Sequence, residues 1–209
     1  MSFSLVKHNN NSISAITSAG SLAQGKMTLI KEQTASSSSS ISFVHGSSDV
    51  VFDSTYPIYL FKFINIHPAT DQPTFQFNLS VDAGSNYNVT KTSSYFRAHH
   101  NEGDTETILG YDTSLDLAQS TGNQIITSAV GGDNDQCMNG TLFIFNPSST
   151  TFVKHFIGHS LIAEGSNFMR DDYYAGYGNT TSAVNAISFQ MSSGNIETGT
   201  IKLYGIKGS

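Results

Sequence analysis

Ile58 to Tyr87, reading IYLFKFINIHPATDQPTFQFNLSVDAGSNY, constrains the fold more than any other stretch of the chain. Within it Phe75, Phe77, Leu79 and Val81 alternate strictly with polar Gln76, Asn78 and Ser80. A period of two predicts a strand with one face on a core and the other in water. The preceding segment, Ile58 to Ile66, is apolar in both alternating sets. Ile58, Leu60, Ile64 and Ile66 fall on one side, and Tyr59, Phe61 and Phe63 on the other. That pattern predicts a central strand covered on both faces. The run between them, His67 to Pro73, contains two prolines and reads as a defined loop. Nothing in the whole stretch places a nucleophile or a metal cage.

Composition points the same way. Charged residues make up 12% of the 209, about half the ~25% of an average soluble domain. The polar surface is built instead from Ser, Thr, Asn and Gln, which suits strands and turns better than solvated helices. Fourteen Phe and nine Tyr supply bulky β-favouring side chains, and Cys137, the single cysteine, excludes an internal disulfide framework. A net charge of −6 and a pI near 5.5 argue against a nucleic-acid partner. No apolar run approaches the ~20 residues of a membrane span, so membrane insertion is not expected. Met1 to Asn11 lacks the apolar h-region of a signal peptide. These features predict synthesis in the cytoplasm and export by another route, such as cell lysis.

Two regions follow from the patterning. Residues 1–25 are dominated by Ser, Asn, Ala and Gly and read as an attachment arm, with Ile13, Ile16 and Leu22 as its isolated apolar docking residues. Residues 26–209 read as one β-sandwich domain. Strands are predicted at Lys26–Lys31, Ile41–His45, Ile58–Ile66, Thr74–Val81, Tyr95–His100 and within Asn123–Val130. Val50–Phe52 is a weaker candidate. Thr141–Asn146 and Thr151–Ile157 are predicted to form a hairpin around Pro147-Ser-Ser-Thr150, and Val184–Met191 to pair with Thr200–Ile206. Leu109–Gln119 reads as a short helix or irregular excursion, and Gly165–Asn179 as a long loop with a short strand. Many short strands and almost no helix predict an all-β, antiparallel, jelly-roll-like sandwich.

Several of these segments, among them Gly25-Lys-Met-Thr-Leu-Ile-Lys-Glu-Gln-Thr-Ala-Ser36, Tyr59-Leu-Phe-Lys-Phe-Ile-Asn-Ile-His-Pro-Ala-Thr70, Phe145-Asn-Pro-Ser-Ser-Thr-Thr-Phe-Val-Lys-His155 and Gly199-Thr-Ile-Lys-Leu-Tyr-Gly-Ile206, carry a resemblance. So do Ser85-Asn-Tyr-Asn-Val-Thr-Lys-Thr92 and Ala175-Gly-Tyr-Gly-Asn-Thr-Thr181. They resemble structural proteins of tailed bacteriophages, especially those of marine cyanophages. The resemblance implies a non-enzymatic virion component, assigned to tail fibres, head fibres or capsid decoration. It also implies docking to other capsid or tail proteins, and the leading expectation is self-assembly as a homotrimer.

Candidate chemistry is sparse. Gly158-His-Ser160-Leu-Ile162 approaches the G-x-S-x-G nucleophile elbow, but Ile162 stands where a small residue is needed and no helix follows. His99 and His100 are adjacent and would diverge on a strand, while His155 and His159 would lie roughly 13 Å apart. Asp133-Asn-Asp135 is an acidic loop that could hold Ca²⁺, although the remaining ligands of an EF-hand are missing. Asp171 and Asp172 would likewise diverge, which weakens a glycosidase pairing. No catalytic residue, metal ligand or cofactor is therefore expected. Sequons at Asn78, Asn88, Asn139 and Asn179 carry little meaning without a secretory signal. The segment Tyr173-Tyr174-Ala-Gly-Tyr177 is the main surface candidate, since tyrosines suit protein interfaces and saccharide stacking alike. The alternative function is thus a glycan-binding host-recognition module using Tyr173, Tyr174 and Tyr177; the plainer reading is a loop folded over the sandwich edge.

Overall fold

The computed structural model describes residues 27–207. The expected arm with Ile13, Ile16 and Leu22 lies outside them. The strands are β1 (Met27–Thr34), β2 (Ile41–Val44), β3 (Ile58–Pro68), β4 (Phe75–Ser80), β5 (Lys91–Asn101) and β6 (Thr107–Tyr111). They continue with β7 (Gln124–Thr127), β8 (Met138–Phe145), β9 (Lys154–Glu164), β10 (Phe168–Gly178), β11 (Ala186–Met191) and β12 (Ile196–Ile206). No helix occurs among the described residues. All pairs are antiparallel, in an eight-stranded sheet ordered β1-β12-β3-β8-β9-β10-β5-β6 and a four-stranded sheet ordered β2-β11-β4-β7.

The topology is a jelly roll with two insertions. Setting β5–β6 and β9–β10 aside leaves two sheets of four, β1-β12-β3-β8 and β2-β11-β4-β7. In these the pairs are nested: β1 with β12, β2 with β11, β3 with β8 and β4 with β7. One long antiparallel ribbon is thereby wrapped around a core, so its strands alternate between the sheets on either side of the β4–β7 pair at its end. One expectation changes as a result. β11 and β12 do not pair with each other, because a sandwich needs one of them in each sheet. For the same reason β3 and β4 face each other across the core. The inserted hairpins extend only the larger sheet.

Why these residues pack as they do follows from their alternation. Phe75, Phe77 and Leu79 of β4 are fully buried, as the period of two requires, and meet Phe61 and Phe63 of β3 and Phe189 of β11. Phe189 sits at the hub, with ring centroids 5.1 Å from Phe61 and 5.2 Å from Phe63, both edge-on. That geometry opposes ring edge to ring face, the favoured arrangement of the aromatic quadrupoles. The polar face of β4 is not in water: Asn78 and Ser80 are buried too. Asn78 accepts from Lys91 Nζ (2.5 Å) and donates to Thr121 C=O (3.0 Å), so a loop covers it.

Other segments also depart from expectation. Val50–Phe52 forms no strand, yet Val50 and Phe52 are buried and Phe52 stacks on Tyr59 at 4.7 Å. Within Leu109–Gln119 the helix is replaced by the end of β6 and an irregular return. Gly165–Asn179 is mostly strand β10, eleven residues long. The β8–β9 hairpin forms as predicted, with Ile144 opposite Phe156.

Candidate functional site

The larger sheet has its inner face on the core and its outer face without a second layer among the described residues. β3 shows the consequence. Its inward Tyr59, Phe61 and Phe63 are buried, and a bulge after Phe63 turns Ile66 inward to join them, but of its outward residues only Leu60 is buried, while Ile58 is half-buried and Ile64 exposed. The double-sided covering expected of this strand is therefore met on one side only. Neighbouring side chains shelter Leu60: it lies in a row Ser94, Ala175, Ile157, Phe143, Leu60, Tyr204, Leu29 that crosses seven strands.

A second row crosses all eight strands and is divided by chemistry. Register places Tyr111, Phe96, Tyr173, His159, Thr141, Lys62, Lys202 and Glu32 side by side. The half on the inserted strands is a ladder of rings. Phe96 and Tyr173 stack at 5.0 Å with planes 5° apart, and Tyr173 and His159 at 4.3 Å and 18°. His159 Nε2 also bonds the outward Asp171 carboxylate. The other half is ionic, with Lys202 Nζ 2.9 Å from Glu32. Neighbouring strands lie ~4.8 Å apart, so rings stacked at this spacing stand like pages, faces against each other and edges outward. Tyr173 has both faces taken. An open ring face is what a sugar would stack upon, so the ladder is poorly built for saccharide stacking and better suited to packing against protein.

Exposed apolar side chains concentrate on this face. Met27, Leu29, Ile64, Phe96, Leu109, Tyr111, Ile157, Leu161, Met169 and Tyr173 all project there. Apolar side chains exposed in this number on one face, among its charged groups, mark a candidate interaction surface.

The inner side of the inserted strands is unusually polar. Arg170 and Asp172, two apart on β10 and so on one face, are 1% and 0% exposed and pair through Nε–Oδ1 at 2.8 Å. Thr127 Oγ1 donates to Asp172 Oδ2, which ties β7 to β10. Burial works most strongly against the Arg170 charge, but the Asp172 carboxylate beside it, together with Tyr95 and Glu164, holds the guanidinium above its ordinary pKa. Burial pushes the Tyr174 phenol well up, and the Lys91 ammonium down to about 7. Ser160 is fully buried and donates to Ile126 C=O at 3.0 Å. These groups hold the smaller sheet against the extension.

The sequence candidates are thus dispersed. Tyr173 is on the outer face, and Tyr177 lies there half-buried beside His155. Tyr174 points into the core, its ring over Gly158 and its hydroxyl donating to Thr141 C=O at 3.2 Å. It offers no surface to a partner. Asp171 and Asp172 diverge to opposite faces. His99 and His100 diverge as well, His99 toward Glu106 and His100 toward Asp104. His155 and His159 share the outer face but belong to different rows. Asp135 lines an open groove of about 440 Å³ with Asn65, His67, Cys137 and Glu197. Among the described residues no three His, Cys, Asp or Glu side chains converge as a metal site. Sequence reasoning missed Phe96, Leu109 and Tyr111. No protein family, curated protein or solved structure matches this chain.

Proposed function

We propose that this chain is a non-enzymatic structural component of a bacteriophage virion, a fibre or capsid-decoration protein that works by assembling with other subunits. The observation that carries the reading is the outer face of the eight-stranded sheet. It exposes many apolar side chains and a ladder of edge-on rings, and β3 presents Ile58, Leu60 and Ile64 on that side as well as its core residues on the other. Such a face belongs in an assembly. The bacteriophage setting rests on the strand-and-turn segments that resemble phage structural proteins. The buried Asp172 carboxylate and Ser160 hydroxyl are taken up by structural partners, Arg170 with Thr127 and Ile126 C=O respectively, which agrees with a scaffold.

Labelling of intact particles is the test. Antibody or gold label should decorate purified virions at regular positions, and deletion of residues 1–25 should leave a folded sandwich that no longer joins them. Absence of label, or normal incorporation of the truncated chain, would defeat the virion assignment or the docking-arm role respectively.

A further inference from the structure

We propose that β6 is a self-pairing edge, onto which a second copy of the chain adds its own β6 in antiparallel register centred on Leu109. This goes beyond the virion reading and stands or falls separately from it. The main chain of β6 decides the geometry. Asp112 N–H donates to Tyr95 C=O (3.0 Å), and Asn101 N–H donates to Glu106 C=O (3.1 Å). Bonded and non-bonded pairs alternate along an antiparallel ladder. With Phe96 opposite Tyr111 and His100 opposite Thr107, Ile108 and Gly110 turn their main-chain groups toward β5. Thr107, Leu109 and Tyr111 turn theirs toward the open edge.

Those three residues are self-complementary. A twofold axis at Leu109 sets Leu109 against its counterpart and Thr107 against Tyr111 of the other copy. Each then donates and accepts one main-chain hydrogen bond, about six in all. Their side chains lie on the outer face, where Leu109, at 79% exposed, is the barest large apolar residue among those described. The paired Leu109 side chains would be flanked by Tyr111, continuing the ladder Tyr173–Phe96–Tyr111 toward the second copy.

The other edges carry the protections that natural sheets use against such pairing. β1 is bulged between Leu29 and Lys31 and bears Lys31 and Glu32. At β2 the Ser42 carbonyl is capped by Gln33 Nε2 at 2.8 Å. β7 is four residues long and largely buried. The β6 sequence Thr-Ile-Leu-Gly-Tyr has no charge and no proline. Glu106 and Asp112, which the axis brings opposite each other, are already engaged by His99 and Arg97, both at 3.3 Å. The register closes on two copies. A trimer would instead require β6 to pair with β1, head to tail, where the bulge and charges oppose it.

A five-residue edge buries less than the ~800 Å² per partner of a standard interface, so the dimer belongs to the micromolar class. Sedimentation equilibrium of the full chain should give a reversible monomer–dimer curve. Hydrogen exchange at the Thr107, Leu109 and Tyr111 amides should slow at least several-fold as concentration rises, while Ile108 and Gly110 stay constant. Leu109→Lys, at an exposed site, should keep the thermal unfolding profile and remove both effects. A monomer throughout, a trimer, or a dimer that survives Leu109→Lys would overturn the pairing. So would slowing of these amides only when other virion proteins are added. None of these outcomes bears on whether the chain is found on particles.

Discussion

Asp172→Asn isolates the buried ion pair between the inserted strands and the smaller sheet. The change keeps the side chain's shape and removes its charge. Arg170 would then hold a cation at 1% exposure with neutral acceptors only, the side-chain amide oxygen left at position 172 and Ser128 C=O at 3.5 Å. Its Nη2 already lacks a partner. Leaving one member of a buried pair uncompensated costs about 3–5 kcal/mol. With a urea m-value of ~2 kcal/mol/M, the midpoint should fall by roughly 2 M. Replacing both residues, as Arg170→Met with Asp172→Leu, removes the orphan charge along with the pair and should recover most of that loss. Equilibrium urea unfolding followed by circular dichroism and tyrosine fluorescence measures all three proteins. A single variant within about 1 kcal/mol of the parent would refute the claim that the pair is desolvated. A double variant as weak as the single one would refute the charge argument, and would point to lost packing.

Stability should also respond to pH in a defined window. Lys91 is buried with its ammonium bonded to Asn78 Oδ1 and Val89 C=O, and burial takes its pKa down to about 7 from the usual 10.5. Between those values the unfolded chain binds more protons than the folded one, so stability rises with pH from about 7 toward 10. Above that range it should fall again, because Tyr59, pushed up to about 12 by burial, and Tyr174 stay protonated when folded but ionise when unfolded. Urea midpoints at intervals from pH 6 to 11 would show this rise and fall, and a curve flat to pH 10 would count against it. Gly158→Ala should be costly, since its Cβ would fall 2.1 Å from the fully packed Tyr174 ring. A loss of about 1–3 kcal/mol or more is expected, and near-parental melting would show that the ring can move.

Strand existence was readable where apolar residues alternate against the core, as in β4, or run together, as in β3 and β8. Strand pairing was not. The jelly roll sets Ser42 against Ser188, 146 residues away, and no local signal reports a partner so distant. β10 was read as no more than a short strand in a long loop because its buried positions include Arg170 and Asp172, which invert the expected polarity. The useful hint was Arg-x-Asp, two charges of opposite sign on one face of a strand. β6 was obscured by Gly110 and by Leu109 facing outward, which makes an edge strand look irregular. At the candidate site Tyr173 was visible as a surface residue. Its ring partners Phe96 and His159 come from other strands, so the ladder emerges only with the register.

The nested pairing of first strand with last has a consequence for how the molecule is held. Met27 lies opposite Ile206, so any segment joined to either end departs from one corner of the sandwich. β6 borders the opposite side of the same sheet, ~34 Å away at ~4.8 Å per strand. If residues 1–25 dock the chain as proposed, the domain would stand like a flag fixed along its hoist, with its free margin carried outward. A reporter fused after residue 209 would then sit beside the docking corner. One inserted in the Asn101–Glu106 turn would ride on the fly end, and on a particle the two should read different radii.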